Sequence, residues 1–392
     1  MLVSRRHPQC WSIPWLAVSH PCIPGSIETA VDVVERVAPS SVLLFAGGSS
    51  FEVSGADAPI SRAVAGRRVA EVRGITADPT LADVASAIEV FRSWHPDLII
   101  AVGGGSVIDL AKAVRTIGPL SSDPRPYLLG EAPVGPGPPL LAIPTTAGTG
   151  SEATRYAVFN VDGEKRPIGD PALLPERVIL DPGLTDSLPP SVTAATGLDA
   201  LSQAMESMWS TRSTGTSYTD ARIALQLALD HLETAVNRPD AKARFAMCRS
   251  AHLAGHAIDV SATTAPHALS FHLTTEYGVA HGHAVALTLG PVLEFNAGVL
   301  PDDCADPRGP EHVRAVLSDI VEMLGVRSPI EARQKLMDLV NEVGLEATLA
   351  GVGLRTPVQT KALAASASPI RLATNPRRFD ESSLAALVSG IN

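Results

Sequence analysis

The chain has 392 residues, 45% of them apolar and 18% charged. At roughly 150 residues per domain it holds about two or three domains, and such a composition buries a sizeable core, which excludes disorder as its main state. Lys and Arg number 31 against 41 Asp and Glu, a net charge of −10, with no basic run longer than two. Nucleic acid and anionic membrane surfaces are thereby excluded as main partners, and an anionic ligand must be held locally against the overall field.

The first residues carry Arg5 and Arg6, then Pro8, Pro14 and Pro21. They hold no apolar run adequate for a secretory signal or a membrane span, and nothing later reaches the roughly 18 uninterrupted apolar residues a spanning helix needs. Cysteines stand at 10, 22, 248 and 304, without a CxxC pair or the spacing of a zinc ribbon. They read as reduced thiols in a cytoplasmic protein.

Apolar runs at 41–46, 97–102, 140–143 and 177–180 read as buried strands. Thr80 to Trp94 has helical spacing between two of them. Alternation of this kind predicts a parallel sheet covered on both faces. Residues 119–139, with seven prolines and three glycines, read as a surface loop. Beyond Ser191 the alternation stops. Residues 221–236, 313–324, 330–343 and 381–388 are helical in pattern. The expected architecture is a Rossmann-like, doubly wound α/β domain over 1–190 and an all-α domain over 191–392.

The strand ending at Val102 runs into Gly103-Gly104-Gly105-Ser106 and then a helical pattern. Glycines admit a pyrophosphate close to the backbone, and the helix start offers it free N–H groups. The third glycine of the usual GxGxxG falls on Ile108, and no GK[ST] follows, so neither common fingerprint is met. A tight turn that binds nothing is the alternative. A second turn, Pro144 to Glu152, packs four hydroxyls (Thr145, Thr146, Thr149, Ser151) and two glycines into nine residues. Helix capping needs one hydroxyl; a phosphate and ribose site at a strand's carboxyl end uses several.

In the second half Asp199 and Gln203 lie i and i+4 on one helical face. His267, His272, His281 and His283 follow within 17 residues, four of the chain's eleven histidines. One carboxylate with two or three imidazoles suits Fe(II) or Zn(II) with open coordination positions.

The segments GGGSVIDLAKA and PTTAGTGSEATRYAV resemble the signatures of the iron-containing (group III) alcohol dehydrogenase family. The resemblance runs over about residues 25 to 380 in order, spacing and two-domain division. It implies that Gly103, Gly104, Gly105, Ser106 and Asp109 hold the cofactor pyrophosphate. Thr145, Thr146, Thr149 and Ser151 would lie along the nicotinamide ribose and ring, with Lys165 also near the cofactor. NAD-specific members usually have an acid where Gly47 falls. Its absence, with Ser49 and Ser50 available to a 2′-phosphate, resembles the NADP-using branch, so NADP(H) is expected over NAD(H).

The family's metal ligands are an Asp, a His four residues on, and two later His 14 apart. Asp199, His267 and His281 match, while Gln203 stands where His is expected. Its amide oxygen is a neutral, weaker donor; a metal-free descendant is the alternative. Phe271 takes a position where many members have a histidine, and His272, one residue on, is the catalytic proton-relay candidate, with His283 a further one. The resemblance implies hydride transfer to a metal-polarised aldehyde, Asp199, His267 and His281 being catalytic.

GLDALSQAMESMWS, APHALSFHL and GVAHGHAVALTLGPVLEFN most resemble the phosphonoacetaldehyde reductase branch. A phosphonate would need cations, and Arg155, Lys165, Arg371, Arg377 and Arg378 are available, with Arg371 and the 375–378 turn preferred. A homodimer is implied by the family. A related biosynthetic alcohol dehydrogenase acting on another carbonyl is the alternative within the family; a dehydroquinate-synthase-like lyase and a non-catalytic cofactor-binding protein are the alternatives of other classes.

Overall fold

A computed structural model describes residues 22–391; the expectations for the N-terminal segment and Cys10 lie outside the described residues. The α/β half contains β1 (Cys22–Pro24), α1 (Ala30–Val37), β2 (Ser41–Ala46), α2 (Ser49–Val53), α3 (Asp57–Ala63), β3 (Arg68–Val72), α4 (Leu81–Trp94), β4 (Leu98–Gly103) and α5 (Gly105–Ile117). Then come α6 (Arg125–Leu128), β5 (Leu140–Pro144), the hairpin β6 (Tyr156–Val161) with β7 (Glu164–Gly169), and β8 (Arg177–Leu180). The sheet order is β1-β8-β5-β4-β2-β3, parallel throughout.

Its core follows from the two-residue period of a strand. Leu43, Phe45, Ile99, Ala101, Leu140 and Ala142 pack on one face with α4 and α5. Their neighbours Val42, Leu44, Leu98, Ile100, Leu141 and Ile143 pack on the other face with α1 and α3. Helices on both faces explain why these strands read as continuous apolar runs. Thr80 and Asp83 form a capping box that starts α4.

After β8 the described chain is helical: α7 (Pro190–Trp209), α8 (Gly215–Asn237), α9 (Ala241–Ser261), α10 (Ala265–Tyr277), α11 (His281–Ala297), α12 (Pro310–Met323), α13 (Pro329–Glu342), α14 (Pro357–Ala365), α15 (Pro369–Leu372) and α16 (Glu381–Ser389). Residues of α7, α8, α9, α11, α12 and α13 share one large core. A smaller one joins α10 and α11 to α14 and α16. Among the described residues no helix is long and apolar enough to cross a membrane.

Candidate active site

Strands β5, β4 and β2 are neighbours in the sheet, so the turns that follow them share one carboxyl edge. Gly47 N–H donates to Val102 O (3.1 Å) and Thr145 N–H to Gly103 O (3.0 Å). A Cβ on Gly105 would lie 2.8 Å from the Thr149 side chain, and one on Gly103 would lie 2.5 Å from Val107. Glycine is what lets the two turns close on each other. No side chain caps α5. Its first N–H groups, around Gly104, Gly105 and Ser106, therefore remain available to an anion, and the residues present fit a cofactor pyrophosphate. Ser49 and Ser50 are exposed beside buried Gly47.

Ser151 and Asp109 are engaged within the protein. The Ser151 hydroxyl donates to Asp109 Oδ1, and Asp109 Oδ2 accepts from Val158 N–H at 2.9 Å. Fully buried Lys112 donates to Ser151 Oγ (3.1 Å), Thr154 O (2.8 Å) and Tyr156 O (2.8 Å). Burial pushes the Lys112 ammonium down to about 8, against the pull of Asp109 and Glu152. These residues pin α5 to the second turn and to β6, which fixes the shape of the turn.

Asp199 and Gln203 project from α7, His267 from the first turn of α10, and His281 from the first residue of α11. Ligand atoms of Asp199, His267 and His281 lie within 4.8 Å of one another. Gly282 makes this approach feasible: a Cβ there would fall 2.0 Å from Ala195 O and 2.6 Å from Asp199 Cβ. Among the described residues, buried Gln203 Oε1 and His281 Nδ1 have no hydrogen-bond partner, and buried Asp199 Oδ1 has only the long 3.4 Å approach of His267 Nε2. Gln203 Nε2 donates to Thr149 O at 3.3 Å, which ties the constellation to the second turn. Buried acceptors left unpaired in one cluster fit a divalent cation.

Glu206, which the sequence reading did not single out, orients the cluster. Its Oε1 accepts from Thr264 N–H (2.7 Å) and Thr264 Oγ1 (3.0 Å), and its Oε2 pairs with His267 Nδ1. His267 Nε2 is thereby turned to Asp199 Oδ1, 3.4 Å away. The same carboxylate serves the start of α10, which no side chain of its own caps. Burial opposes charge on His267, yet Glu206 and Asp199 together raise it to about 9. Burial lowers His281 to about 4, helped by His267, Lys165 and Arg371 and opposed by Asp199. Burial would lift the Asp199 carboxyl, but His267 and His281 hold it below its ordinary value.

The structure does not bring every candidate here. His272 is turned away: its ring packs against Tyr277, with centroids 5.8 Å apart. Phe271 faces the site instead, nearly parallel to His281 (6.3 Å, 21°). The one-residue offset rotates a helical side chain by about 100°, which is the reason. His283 is buried, with Nε2 2.6 Å from Glu346 O. Arg155 is paired with Asp259 (2.9 Å) and Arg377 with Asp303 (2.7 Å), while Arg378 is exposed and donates to Asp302 O. Lys165 Nζ is 5.4 Å from the Phe271 ring centroid, and the Arg371 guanidinium is 4.3 Å from the same ring.

Residues 22–182 match the iron-containing alcohol dehydrogenase family, and residues 193–391 match the C-terminal part of the Fe-containing alcohol dehydrogenase family. The chain is 38% identical over 322 residues to a phosphonoacetaldehyde reductase of Streptomyces viridochromogenes, covering 79% of this chain and 80% of that protein. It is 31% identical to long-chain-alcohol dehydrogenase 1 of Geobacillus thermodenitrificans, covering 84% of each. Among solved structures, sulfoacetaldehyde reductase from Bifidobacterium kashiwanohense in complex with NAD+ superposes with a TM-score of 0.84 at 28% identity, over 96% of this chain and 97% of that one. The chain belongs to the iron-containing alcohol dehydrogenase family, is an NAD(P)-dependent alcohol dehydrogenase, and resembles the family's phosphonoacetaldehyde reductase branch.

Proposed function

We propose that the chain reduces a small aldehyde to its primary alcohol at the expense of NAD(P)H, the aldehyde being phosphonoacetaldehyde and the product 2-hydroxyethylphosphonate. The observation that carries this reading is the buried Asp199, His267 and His281 cluster, joined through Gln203 to the turn after β5. The relation to phosphonoacetaldehyde reductase supports the substrate. Family membership sets aside the lyase and non-catalytic alternatives.

In this reading residues 1–190 hold the cofactor and residues 191–392 the metal and substrate. When bound, a nicotinamide supplies the hydride and a divalent metal, Fe(II) before Zn(II), supplies Lewis-acid polarisation of the carbonyl. Asp199, His267 and His281 would hold the metal, with Gln203 Oε1 as a fourth, weaker donor. Glu206 keeps His267 in the tautomer whose Nε2 faces the cluster. The N–H groups that open α5 receive the pyrophosphate, and Thr145, Thr146 and Thr149 line the ribose. Asp109, Lys112 and Ser151 hold that lining in place.

Gly47 sets no carboxylate against a 2′-phosphate, and Ser49 and Ser50 are exposed beside it. Arg73, at the end of the neighbouring β3, lies over the Phe51 ring at 4.8 Å, although Glu52 and Glu71 pair with it. These features support NADP(H) over NAD(H). A homodimer rests on the family resemblance, and a cytoplasmic location on the reading of the cysteines as reduced thiols.

The test is loss of NADPH absorbance with phosphonoacetaldehyde on protein reconstituted anaerobically with Fe(II), beside acetaldehyde and beside NADH. Preferential turnover of the phosphonate with NADPH is expected. Equal turnover of acetaldehyde would sink the substrate assignment. Bound cofactor without turnover of any aldehyde would sink the reductase reading itself.

A further inference from the structure

Five cations were candidates for the anionic end of a substrate, and the structure separates one of them. Arg155 and Arg377 are neutralised by carboxylates, and Lys165 pairs with Asp78 at 2.8 Å. Arg378 is exposed on the surface. Arg371, on α15, makes no ion pair among the described residues. The one hydrogen bond of its guanidinium among the described residues runs from Nη1 to His267 O, 3.2 Å away. The side chain is half-buried, and with no carboxylate paired to it the guanidinium still has donors to offer an anionic ligand.

Its surroundings say where that anion sits. The guanidinium carbon lies 4.3 Å from the Phe271 ring centroid, and Lys165 Nζ lies 5.4 Å from it. The Lys165 side chain is only 5% exposed. The same ring is nearly parallel to that of His281, at 6.3 Å. Arg371, Lys165 and the His281 imidazole thus border the same ring, and Arg371 also touches the cluster through His267 O. The planar fork of an arginine matches two oxygens of a tetrahedral oxyanion, and Nε and Nη2 have no protein acceptor among the described residues. A seat beside the cluster suits a short ligand that carries both a carbonyl and an oxyanion.

We infer that Arg371, floored by Phe271, is the seat for a tetrahedral oxyanion, phosphonate or sulfonate, borne by a two-carbon aldehyde whose carbonyl lies at the Asp199–His267–His281 cluster. The inference rests on the reductase reading above. It also gives a reason for Phe271: an imidazole at that position would not offer the same apolar floor to the guanidinium.

The test uses the full chain reconstituted with metal, as wild type, R371K and R371Q. The specificity ratio, kcat/KM for phosphonoacetaldehyde over kcat/KM for propanal, is measured for each, and sulfoacetaldehyde is run in parallel. In R371Q the ratio falls by about 100-fold, mainly through KM, as when one partner of a buried charge pair is removed. R371K, which keeps the charge and loses the fork, falls in between. Methylphosphonate, which has no carbonyl, competes with the aldehyde in wild type and far less in R371Q; this inhibition in wild type requires no variant to fold. The anion that wild type favours, phosphonate or sulfonate, identifies the source. An unchanged ratio in R371Q, or no competition by methylphosphonate in wild type, overturns the oxyanion seat while leaving the reductase reading intact. Absence of turnover with every aldehyde overturns the reductase reading, and methylphosphonate binding measured by calorimetry then decides the seat separately.

Discussion

Glu206 is wholly buried, and its carboxylate is shared between the start of α10 and Nδ1 of His267. An imidazole held in this way can present only Nε2 to a metal, and loss of such a partner typically lowers metal affinity about 10–100-fold. E206Q keeps the size of the side chain and most of its contacts to Thr264, but removes the charge that orders the imidazole. Metal affinity measured by chelator competition is therefore predicted to fall about 10–100-fold, with the far-UV circular dichroism unchanged. Undiminished affinity would show that His267 needs no such partner. A carboxylate and four imidazoles stood out in the sequence because such groups are scarce among apolar helices, but the choice of Asp199, His267 and His281 as candidate ligands came from the family resemblance. Glu206 did not stand out, although it lies on the Asp199 face of α7, three residues after Gln203. A lone acid in an apolar run has no signature of its own; its partner, Thr264, is far away in the chain. His272 misled for the converse reason: residue type suggested a role that its direction on α10 forbids.

Elements place these residues by close approach, and Gly282 is the tightest point. A Cβ at 2.0 Å from Ala195 O has no room, so G282A must push the start of α11 away from α7 and carry His281 with it. Overpacking of this kind typically costs about 1–3 kcal/mol. Calorimetry should show a lower Tm for G282A together with weaker metal binding. G215A, at the start of α8 where nothing lies within 4 Å, should leave both unchanged. If G282A binds metal as wild type does, the approach of α11 to α7 does not set the cluster. Neither helix was fully legible. From Gly282 to Leu293 every residue of α11 is buried, so no polar face marks a helical period, and Pro291 inside it reads as a break. The surface helices α8, α12, α13 and α16 do have two faces and were read from their spacing. Likewise β2, β4, β5 and β8 were evident as apolar runs, whereas β3, an edge strand with exposed and half-buried residues, was not. The β6–β7 hairpin did carry a signal, Asp162-Gly163, both with positive φ as a tight hairpin turn requires.

At the scale of the molecule, the division of labour follows from topology. Turns after three adjacent parallel strands gather at one edge of the sheet, and the helical half presents its cluster to that edge. The switch from strand alternation to helices, plain in the sequence, marks where one half gives way to the other. Part of the seam between them was illegible, because it is made by close backbone approach: a Cβ on Gly148 would meet Thr196 O at 2.7 Å, and one on Gly150 would meet Gly255 at 2.6 Å. The metal has a different mechanical role from this seam. Its candidate ligands come from α7, α10 and α11, three helices of one half, so binding cross-links that half. An ion that binds only the folded state at 100 times its dissociation constant stabilises it by about 2.7 kcal/mol. For a unit of 150–250 residues each kcal/mol moves Tm by about 2–4 °C. Fe(II) or Zn(II) should then raise the Tm of metal-stripped protein by about 5–10 °C, and dipicolinate should reverse it. Q203H, which restores an imidazole donor to α7, should widen that shift with Zn(II), since imidazole outranks an amide oxygen for this ion. A Tm indifferent to metal in both proteins would mean that the buried acceptors of Asp199, Gln203 and His281 serve something other than a cation.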